Sequence, residues 1–462
     1  MVKEITSETK LVSYGIVGKI LYHALSFMDG YDLQMLSVCM RAFEITLGLS
    51  PSSLAIMATV ETVALVACCP IWGYLVDAYR IGYVLGTAMA LSGISTMLMG
   101  CVSNFGVILA LRVIHGCAMG CTPPTTQKLI TLSTDEKSHA AAFGLLHCVA
   151  CLGRLISAVL VTYVAGFKIM GYPGWRPCYL GLGLVWLTMS AITVFFLKPV
   201  NGQDCPVSME ERSSIKDTLR AIFQTATCKL LLLVVFISDA PFCAFAYIIL
   251  FLQYSGVTDM KAGITCGLTL IGGCIGGGFG GFIVDWCHKK SNDYGRLHAA
   301  NVIMVIRLVA CIALFMGPAP DGDVSWYHIV ELMTLGASLM TVSSIDRPIL
   351  ASVVQKKYQA SATGLIRCIA GVLSTIFFLP LCGFLAEKAF GYKPSTEPIA
   401  TMLRETRVNN GDALRKSIMY ILLTGTIANA LCYAAFFFTY PHDAKANERA
   451  DESLVSETSD TP

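Results

Sequence analysis

The sequence reads GYLVD at residues 73–77 and GFIVD at residues 281–285. Each of these pentapeptides closes a long apolar segment, and their positions differ by 208 residues. Asp29 lies in the apolar segment that precedes the one ending in GYLVD, and Asp239 lies in the segment that precedes the one ending in GFIVD. The positions of these two aspartates differ by 210 residues. Weak internal similarity at one repeated spacing is typical of membrane proteins that are built from two related halves. The spacing therefore indicates a duplicated unit.

The composition is that of an integral membrane protein. Of the 462 residues, 55% are hydrophobic and 14% are charged, whereas about a quarter of the residues in soluble domains are charged. The apolar residues fall into about a dozen runs, most of them long enough as helices to cross a bilayer core of ~30 Å. This pattern excludes a soluble enzyme, a nucleic-acid-binding protein and a disordered scaffold.

Hydropathy predicts an all-α polytopic membrane protein with twelve transmembrane helices in two pseudo-symmetric halves of six. The predicted spans are 14–42, 51–78, 81–102, 105–132, 138–167, 175–197, 228–255, 260–286, 297–317, 325–353, 360–389 and 415–440. The domains predicted from them are an N-terminal bundle (1–197), a cytoplasmic linker (198–227), a C-terminal bundle (228–441) and a disordered acidic cytoplasmic tail (442–462).

Both termini are predicted to be cytoplasmic, because Lys and Arg concentrate in the loops on that side. The short outer loops would then carry only four cations, which are Arg41, Lys168, Arg176 and Lys261. The polar N-terminus has no apolar stretch followed by a cleavage site, so we expect the first span to act as the insertion signal. The sequence leaves an endolysosomal membrane and the plasma membrane both open.

Ionisable residues inside the predicted spans are the candidate functional residues, because each costs roughly 2.5–3.5 kcal/mol at the bilayer centre. Duplicated halves place a binding cavity between them, near the midplane. The candidates for a substrate and proton cavity are Asp29, Asp32, Glu61, Arg112, Arg154, Asp239, Asp346, Arg347 and Arg367. For each of them, a structural ion pair and a functional role are both open.

Spacing singles out Asp29 and Asp32, which lie three residues apart on one helix face. Two carboxylates that share a site favour retention of one proton, which suits a proton carrier. The alternative is that Gly30 kinks the helix while one aspartate caps it or pairs with Arg112. Glu61 is the reserve proton carrier.

Two further features come from helical position. His115 shares a face with Arg112, and we interpret it as a hydrogen-bonded packing residue, although it also titrates in a useful range. Proline removes a backbone donor, so Pro241 beside Asp239 and Pro348 beside Asp346 predict kinked or broken helices.

The segment GYLVDAYRIG at 73–82 resembles the loop motif of the major facilitator superfamily, G-x-L-x-D-[RK]-x-G-[RK]-[RK]. Gly73, Leu75, Asp77 and Gly82 match it, whereas Ala78 occupies a position that is usually basic. The resemblance implies the major facilitator fold. It also implies a conformational latch, formed by Gly73, Asp77, Arg80 and Asp285.

Within that superfamily the chain is most similar to the spinster-like branch of plants and protists. The similarity rests on Arg112 with Gly116, on Gly174-Trp175-Arg176, and on DRPILASVVQKKYQASATGL at 346–365 followed by FLAEKAFGY at 384–392. Met119 stands where spinster proteins often have a glutamate, so that residue's proton role is not carried over. Asp29-Gly30-Tyr31-Asp32 instead resembles the D-G-x-D signature of aromatic-acid/proton symporters.

We therefore expect a secondary transporter that works by alternating access and is coupled to protons. The expected substrate is an anionic amphiphile, such as a lysophospholipid or a sphingolipid derivative. A proton symporter of small organic anions and a non-transporting sensor are the alternatives. No GxxxxGK[ST], HExxH or GxSxG motif occurs, so no enzyme activity, cofactor or metal is expected. The expected partners are the substrate, protons and the bilayer, without nucleic acid, and the expected state is a monomer.

Overall fold

The computed structural model describes residues 15–133, 139–197, 215–291, 294–399 and 401–459, and they are almost entirely helical. The helices are α1 (Gly15–Leu47), α2 (Pro51–Ala78), α3 (Ile81–Cys101), α4 (Phe105–Met119), α5 (Thr122–Ser133), α6 (His139–Ala165), α7 (Trp175–Phe196), α8 (Ile215–Gln224), α9 (Ala226–Ser238), α10 (Ala240–Phe245), α11 (Ile248–Tyr254), α12 (Asp259–Lys290), α13 (Gly295–Met316), α14 (Trp326–Val353), α15 (Lys356–Phe384) and α16 (Arg404–Ser459). A π-helical turn, Leu385–Ala389, follows α15. A small antiparallel hairpin pairs β1 (Lys168–Ile169) with β2 (Tyr172–Pro173).

The described part of the chain contains eleven helical stretches that are long and apolar enough to cross a membrane. The remaining predicted span is the first one, 14–42, which corresponds to α1, a helix of 33 residues that also carries five charged side chains. They are Lys19, Asp29, Asp32, Arg41 and Glu44. The prediction of an all-α polytopic fold is confirmed.

Kinked or broken helices were predicted beside two prolines, and the structure shows a break beside one of them. In the seventh span, α9 ends at Ser238 and α10 begins at Ala240, so the helix is broken at Asp239. In the tenth span, α14 continues through Pro348 without a break. Its neighbours Ile345 and Ile349 are buried in the core, and this packing holds the helix together despite the missing backbone donor.

The described residues form two compact units that differ from the predicted halves. Unit one lies within residues 1–33, 63–154 and 176–208, whereas unit two lies within 34–62, 155–175 and 209–462. The second part of α1, the first part of α2 and the last part of α6 therefore pack with the helices of the C-terminal half. The domain boundaries drawn from the sequence stay a prediction.

The C-terminal segment that was predicted to be a disordered tail continues α16 as helix to Ser459. The Asp443 carboxylate accepts hydrogen bonds from the backbone N–H and the hydroxyl of Thr227, at 2.8 and 2.7 Å. The Asn447 side chain donates to the carbonyl of Ser352 at 3.2 Å. These contacts tie the beginning of the segment to unit two.

Glycines set the closest helix approaches within each unit. In unit one, a Cβ at Gly30 of α1 would overlap the backbone of Ala150 in α6. In unit two, a Cβ at Gly276 of α12 would overlap the backbone of Ala337 in α14. Gly30 therefore serves close packing in a continuous helix, since α1 is helical on both sides of it.

Candidate functional site

A buried polar cluster in unit one is centred on Asp32 of α1, which is 4% exposed. Its Oδ2 atom accepts a hydrogen bond from the indole N–H of Trp186 at 2.8 Å. The same oxygen lies 3.3 Å from Nε2 of His115. The other ring nitrogen of His115 is 3.0 Å from the hydroxyl of Ser92 and 3.2 Å from that of Thr96. Side chains of four helices, α1, α3, α4 and α7, thus form one connected polar cluster.

Asp29 lies one turn before Asp32 and is half-buried. Its carboxylate is within electrostatic range of Asp32, His115 and Arg154. The structure therefore brings the two predicted carboxylates into one electrostatic environment. The buried Nε atom of Arg154 has no hydrogen-bond partner among the described residues.

Arg112 is buried in α4, with 3% of its surface exposed. It donates a hydrogen bond from Nη2 to the hydroxyl of Tyr179 in α7 at 2.7 Å. Its guanidinium carbon also lies 5.5 Å from the centroid of the Tyr179 ring. Tyr179 therefore holds the guanidinium in place without neutralising its charge, because the phenol is a neutral acceptor.

A second charged cluster lies in unit two, around the break in the seventh span. Asp239 accepts a hydrogen bond from Ser374 at 3.2 Å, and Asp346 accepts one from Tyr433 at 2.6 Å. Arg367 is within electrostatic range of both carboxylates. The structure therefore assembles three of the candidates that were predicted for the C-terminal half.

The remaining candidates occupy less enclosed positions. The side chains of Arg347 and Arg367 are exposed, whereas Glu61 is half-buried in the part of α2 that belongs to unit two. Arg307, which was not among the candidates, is 1% exposed and donates to the hydroxyl and the carbonyl of Ser338 at 3.1 and 2.6 Å. Its Nη1 atom is buried without a partner in the described part of the chain.

Sequence reasoning missed a buried network around Arg41 and Glu44 in unit two. Arg41 was assigned to an outer loop, but it lies in α1 and is 4% exposed. Its Nη1 atom donates to Glu44 at 2.6 Å and to Tyr254 at 2.6 Å. Glu44, in turn, accepts from Tyr254 at 2.9 Å, from Tyr392 at 2.7 Å and from the backbone N–H of Ser395 at 3.1 Å. The Arg-x-x-Glu spacing, which places both residues on one helix face, was the available signal.

Comparisons with known proteins identify the family. Residues 23–379 match the family model described as Major Facilitator Superfamily. The chain belongs to the major facilitator superfamily. No curated protein matches the chain.

Solved structures of superfamily members share its fold. A bacterial homologue of the human lysosomal transporter Spinster, in an inward-facing and unoccupied conformation, matches with a TM-score of 0.78 at 15% identity, covering 92% of this chain and 97% of that one. The same homologue in an inward-facing and occupied conformation gives 0.75 at 15% identity, with the same coverage. The nucleoside transporter NupG gives 0.64 at 13% identity, covering 91% of this chain and 99% of its own. The fold is thus that of a transporter.

The superfamily motif after α2 is only partly visible in the structure. The side chains of Asp77 and Asp285 lie outside the described residues. Arg80 is exposed, and its guanidinium carbon lies 5.5 Å from the centroid of the Tyr83 ring. Lys128 of α5 donates to the carbonyl of Val76 at 2.7 Å, which brings a cation beside the turn that contains Ala78. The latch itself stays a prediction.

Proposed function

We propose that the protein is a proton-coupled secondary transporter that moves an anionic amphiphile by alternating access. The observation that carries this proposal is a charged cluster in each unit, around the buried carboxylates Asp32 and Asp346, within a major facilitator fold. Buried charge stabilises a membrane protein poorly, so its presence in both units favours a transport role.

Guanidinium groups support an anionic substrate. Arg112 is positioned by the hydroxyl of Tyr179, and the buried Nε atom of Arg154 has no hydrogen-bond partner among the described residues, so unit one presents two guanidinium groups in one cluster. Arg347 and Arg367 are exposed in unit two. A phosphate or carboxylate accepts several such donors at once, which makes a lysophospholipid or a phosphorylated sphingoid base a suitable ligand class.

The α1 carboxylates support proton coupling. Asp29 and Asp32 share one environment that is largely shielded from solvent, and such a site can hold and release a proton as its surroundings change. Glu61 stays the reserve carrier, because it also lies within an apolar helix. The segment Asp29-Gly30-Tyr31-Asp32 favours a second candidate function, proton symport of a small aromatic acid.

Membrane and orientation belong to the same proposal. We place both termini in the cytoplasm, following the distribution of Lys and Arg. An endolysosomal membrane is favoured over the plasma membrane by the fold similarity to a homologue of a lysosomal transporter.

Uptake into proteoliposomes tests the proposal. Vesicles with an imposed pH gradient are supplied with a radiolabelled phosphorylated sphingoid base, a lysophospholipid or benzoate. We expect gradient-driven uptake of the lipid substrates, abolished by a protonophore. Uptake of benzoate alone would favour the aromatic-acid function, whereas binding without flux would indicate a sensor. Uptake of equal rate with and without the pH gradient would indicate that the protein is a facilitator without proton coupling.

A further inference from the structure

We propose that His115 carries the coupling proton, held against the Asp32 carboxylate, and that the protonated site recruits the anionic substrate. This inference rests on the proposed proton coupling and deepens it, because it assigns the proton to a residue that the sequence pattern left as a packing histidine.

The His115 ring lies between a carboxylate on its Nε2 side and two hydroxyl groups on its Nδ1 side. Its Nε2 atom is 3.3 Å from Oδ2 of Asp32, and the ring as a whole is 4% exposed. Trp186 donates to the same carboxylate oxygen at 2.8 Å. With a proton on Nε2, the imidazole donates to Asp32, and Nδ1 is left facing two hydroxyl groups.

Those hydroxyls suit both protonation states of the ring. When Nδ1 is unprotonated it accepts a hydrogen bond from Ser92 or Thr96, which lie at 3.0 and 3.2 Å. When Nδ1 is protonated it donates to the same oxygen atoms, because a hydroxyl rotates between donor and acceptor roles. The Ser92 proton then turns to the sulfur of Met119, 3.6 Å from its oxygen. The site gains or loses one proton without moving a heavy atom.

The charged groups around His115 determine the net charge of the cluster when His115 is protonated. Asp32 and Asp29 lie on α1, Arg112 lies on the same helix as His115, and Arg154 lies on α6. The helices α3 and α7 contribute neutral groups to this site, namely the Ser92 and Thr96 hydroxyls and the indole of Trp186. With both carboxylates ionised, the two carboxylates and the two guanidiniums balance, and protonation of His115 then leaves the cluster with a net positive charge.

A net positive charge in a dry site attracts an anion strongly. Proton binding and anion binding therefore favour each other, as reciprocal linkage requires. The geometry thus accounts for symport: the empty, unprotonated cluster is neutral, and so is the cluster that holds both the proton and a monovalent anion.

The first experiment compares the pH dependence of uptake in proteoliposomes for the wild type, His115→Gln and His328→Gln. His328 is the matched control, since it is a buried histidine of α14 that forms hydrogen bonds with the backbone groups of Ser325 and Pro318. We expect wild type and His328→Gln to change several-fold between about pH 5.5 and 7.5, and His115→Gln to change less than about twofold. A wild-type profile in His115→Gln would overturn the inference. A wild type without pH dependence would instead overturn the proposed proton coupling.

The second experiment retains His115 and removes the two hydroxyl groups that accept a hydrogen bond from its protonated ring. In Ser92→Ala/Thr96→Val, we expect the midpoint of the pH profile to move to lower pH by about one unit, because the charged ring loses its partner. An unmoved midpoint would contradict the relay. Tryptophan fluorescence of the detergent-solubilised protein, titrated with pH, provides a readout without transport. The Trp186 signal should titrate in the wild type and not in His115→Gln, and equal titration in both would overturn the inference.

Discussion

Three buried charges in this protein have neutral hydrogen-bond partners. Arg112 is bound by a tyrosine, Arg307 by a serine, and Asp32 by an indole together with an imidazole. A hydrogen bond from a neutral group stabilises a charge without cancelling it. These bonds therefore fix the position of each charge without removing the charge.

Replacement of Arg112 tests this interpretation most directly. We expect Arg112→Ala to lower uptake at least about tenfold, because a charge-assisted bond of ~1.5–3 kcal/mol to the substrate is lost. The protein should still be inserted and monodisperse in detergent. Arg176→Ala is the matched control. This arginine binds the carbonyls of Gly100 and Val102 at the end of α3, so its loss should leave uptake near normal. Near-normal uptake in Arg112→Ala would remove it from the site.

Sequence alone identified the residues of the unit-one cluster but not their partners. Asp29, Asp32 and Arg112 are evident as charges in apolar runs, because such residues are rare there. Ser92 and Thr96 gave no signal, since hydroxyls are common in membrane helices. Their contact with His115 depends on the packing of α3 against α4, which a periodic pattern does not encode.

At the scale of elements, the second part of α1 belongs to a buried polar network in unit two. Hydropathy ends the first span at residue 42, directly after Arg41, so Arg41 was counted with the outer-loop cations and Glu44 fell outside the span. In the structure α1 continues to Leu47, and Glu44 is 1% exposed. The Arg41–Glu44 ion pair interrupts the apolar run of the sequence, but the helix continues through it. For this reason the predicted end of the first span, at residue 42, was wrong.

Removal of the Glu44 charge should destabilise this network. We expect Glu44→Gln to lower the melting temperature in detergent, with a cost of about 3–5 kcal/mol, because Arg41 stays buried without its counterion. Asp323→Asn is the control for a surface pair. Lys261 donates to Asp323 at 2.8 Å between exposed side chains, and this bond holds the pKa of Asp323 below its usual value. The stability it adds is present at neutral pH and lost as the pH falls. Equal melting temperatures for both variants would contradict the network's role.

The packing of α12 against α14 is a second element-scale feature, and glycines of α12 allow the close approach of the two helices. We expect Gly276→Ala to destabilise the protein by about 1–3 kcal/mol, because the new methyl group would overlap the backbone of Ala337. Gly278→Ala is the matched control, since a Cβ there has no neighbour within 4 Å. Thermal unfolding in detergent measures both. A Gly278→Ala variant that is as unstable as Gly276→Ala would refute the close approach.

For the whole molecule, the hydropathy pattern and the motif at 73–82 predicted the all-α polytopic fold and the superfamily, and the family match confirms both. The compact units, however, do not coincide with the repeats, because residues 34–62 and 155–175 pack with the C-terminal half. A sequence repeat indicates which segments of the chain are related by duplication. It does not record which helix ends pack together in one conformational state, since alternating access requires these contacts to exchange.

The two repeated aspartates should govern that exchange. Asp77 and Asp285 stand at equivalent ends of α2 and α12. We expect Asp77→Asn and Asp285→Asn each to change the ratio of the two access states by about fivefold, since a charge beside a helix end contributes up to ~1 kcal/mol. Affinity measured separately from the two faces of oriented vesicles should then rise on one face and fall on the other. Asp412→Asn is the matched control, because Asp412 forms an exposed pair with Lys416 in α16. If both latch variants change the affinity by one common factor on both faces, they act on the binding site, and the duplicated turn is not a latch.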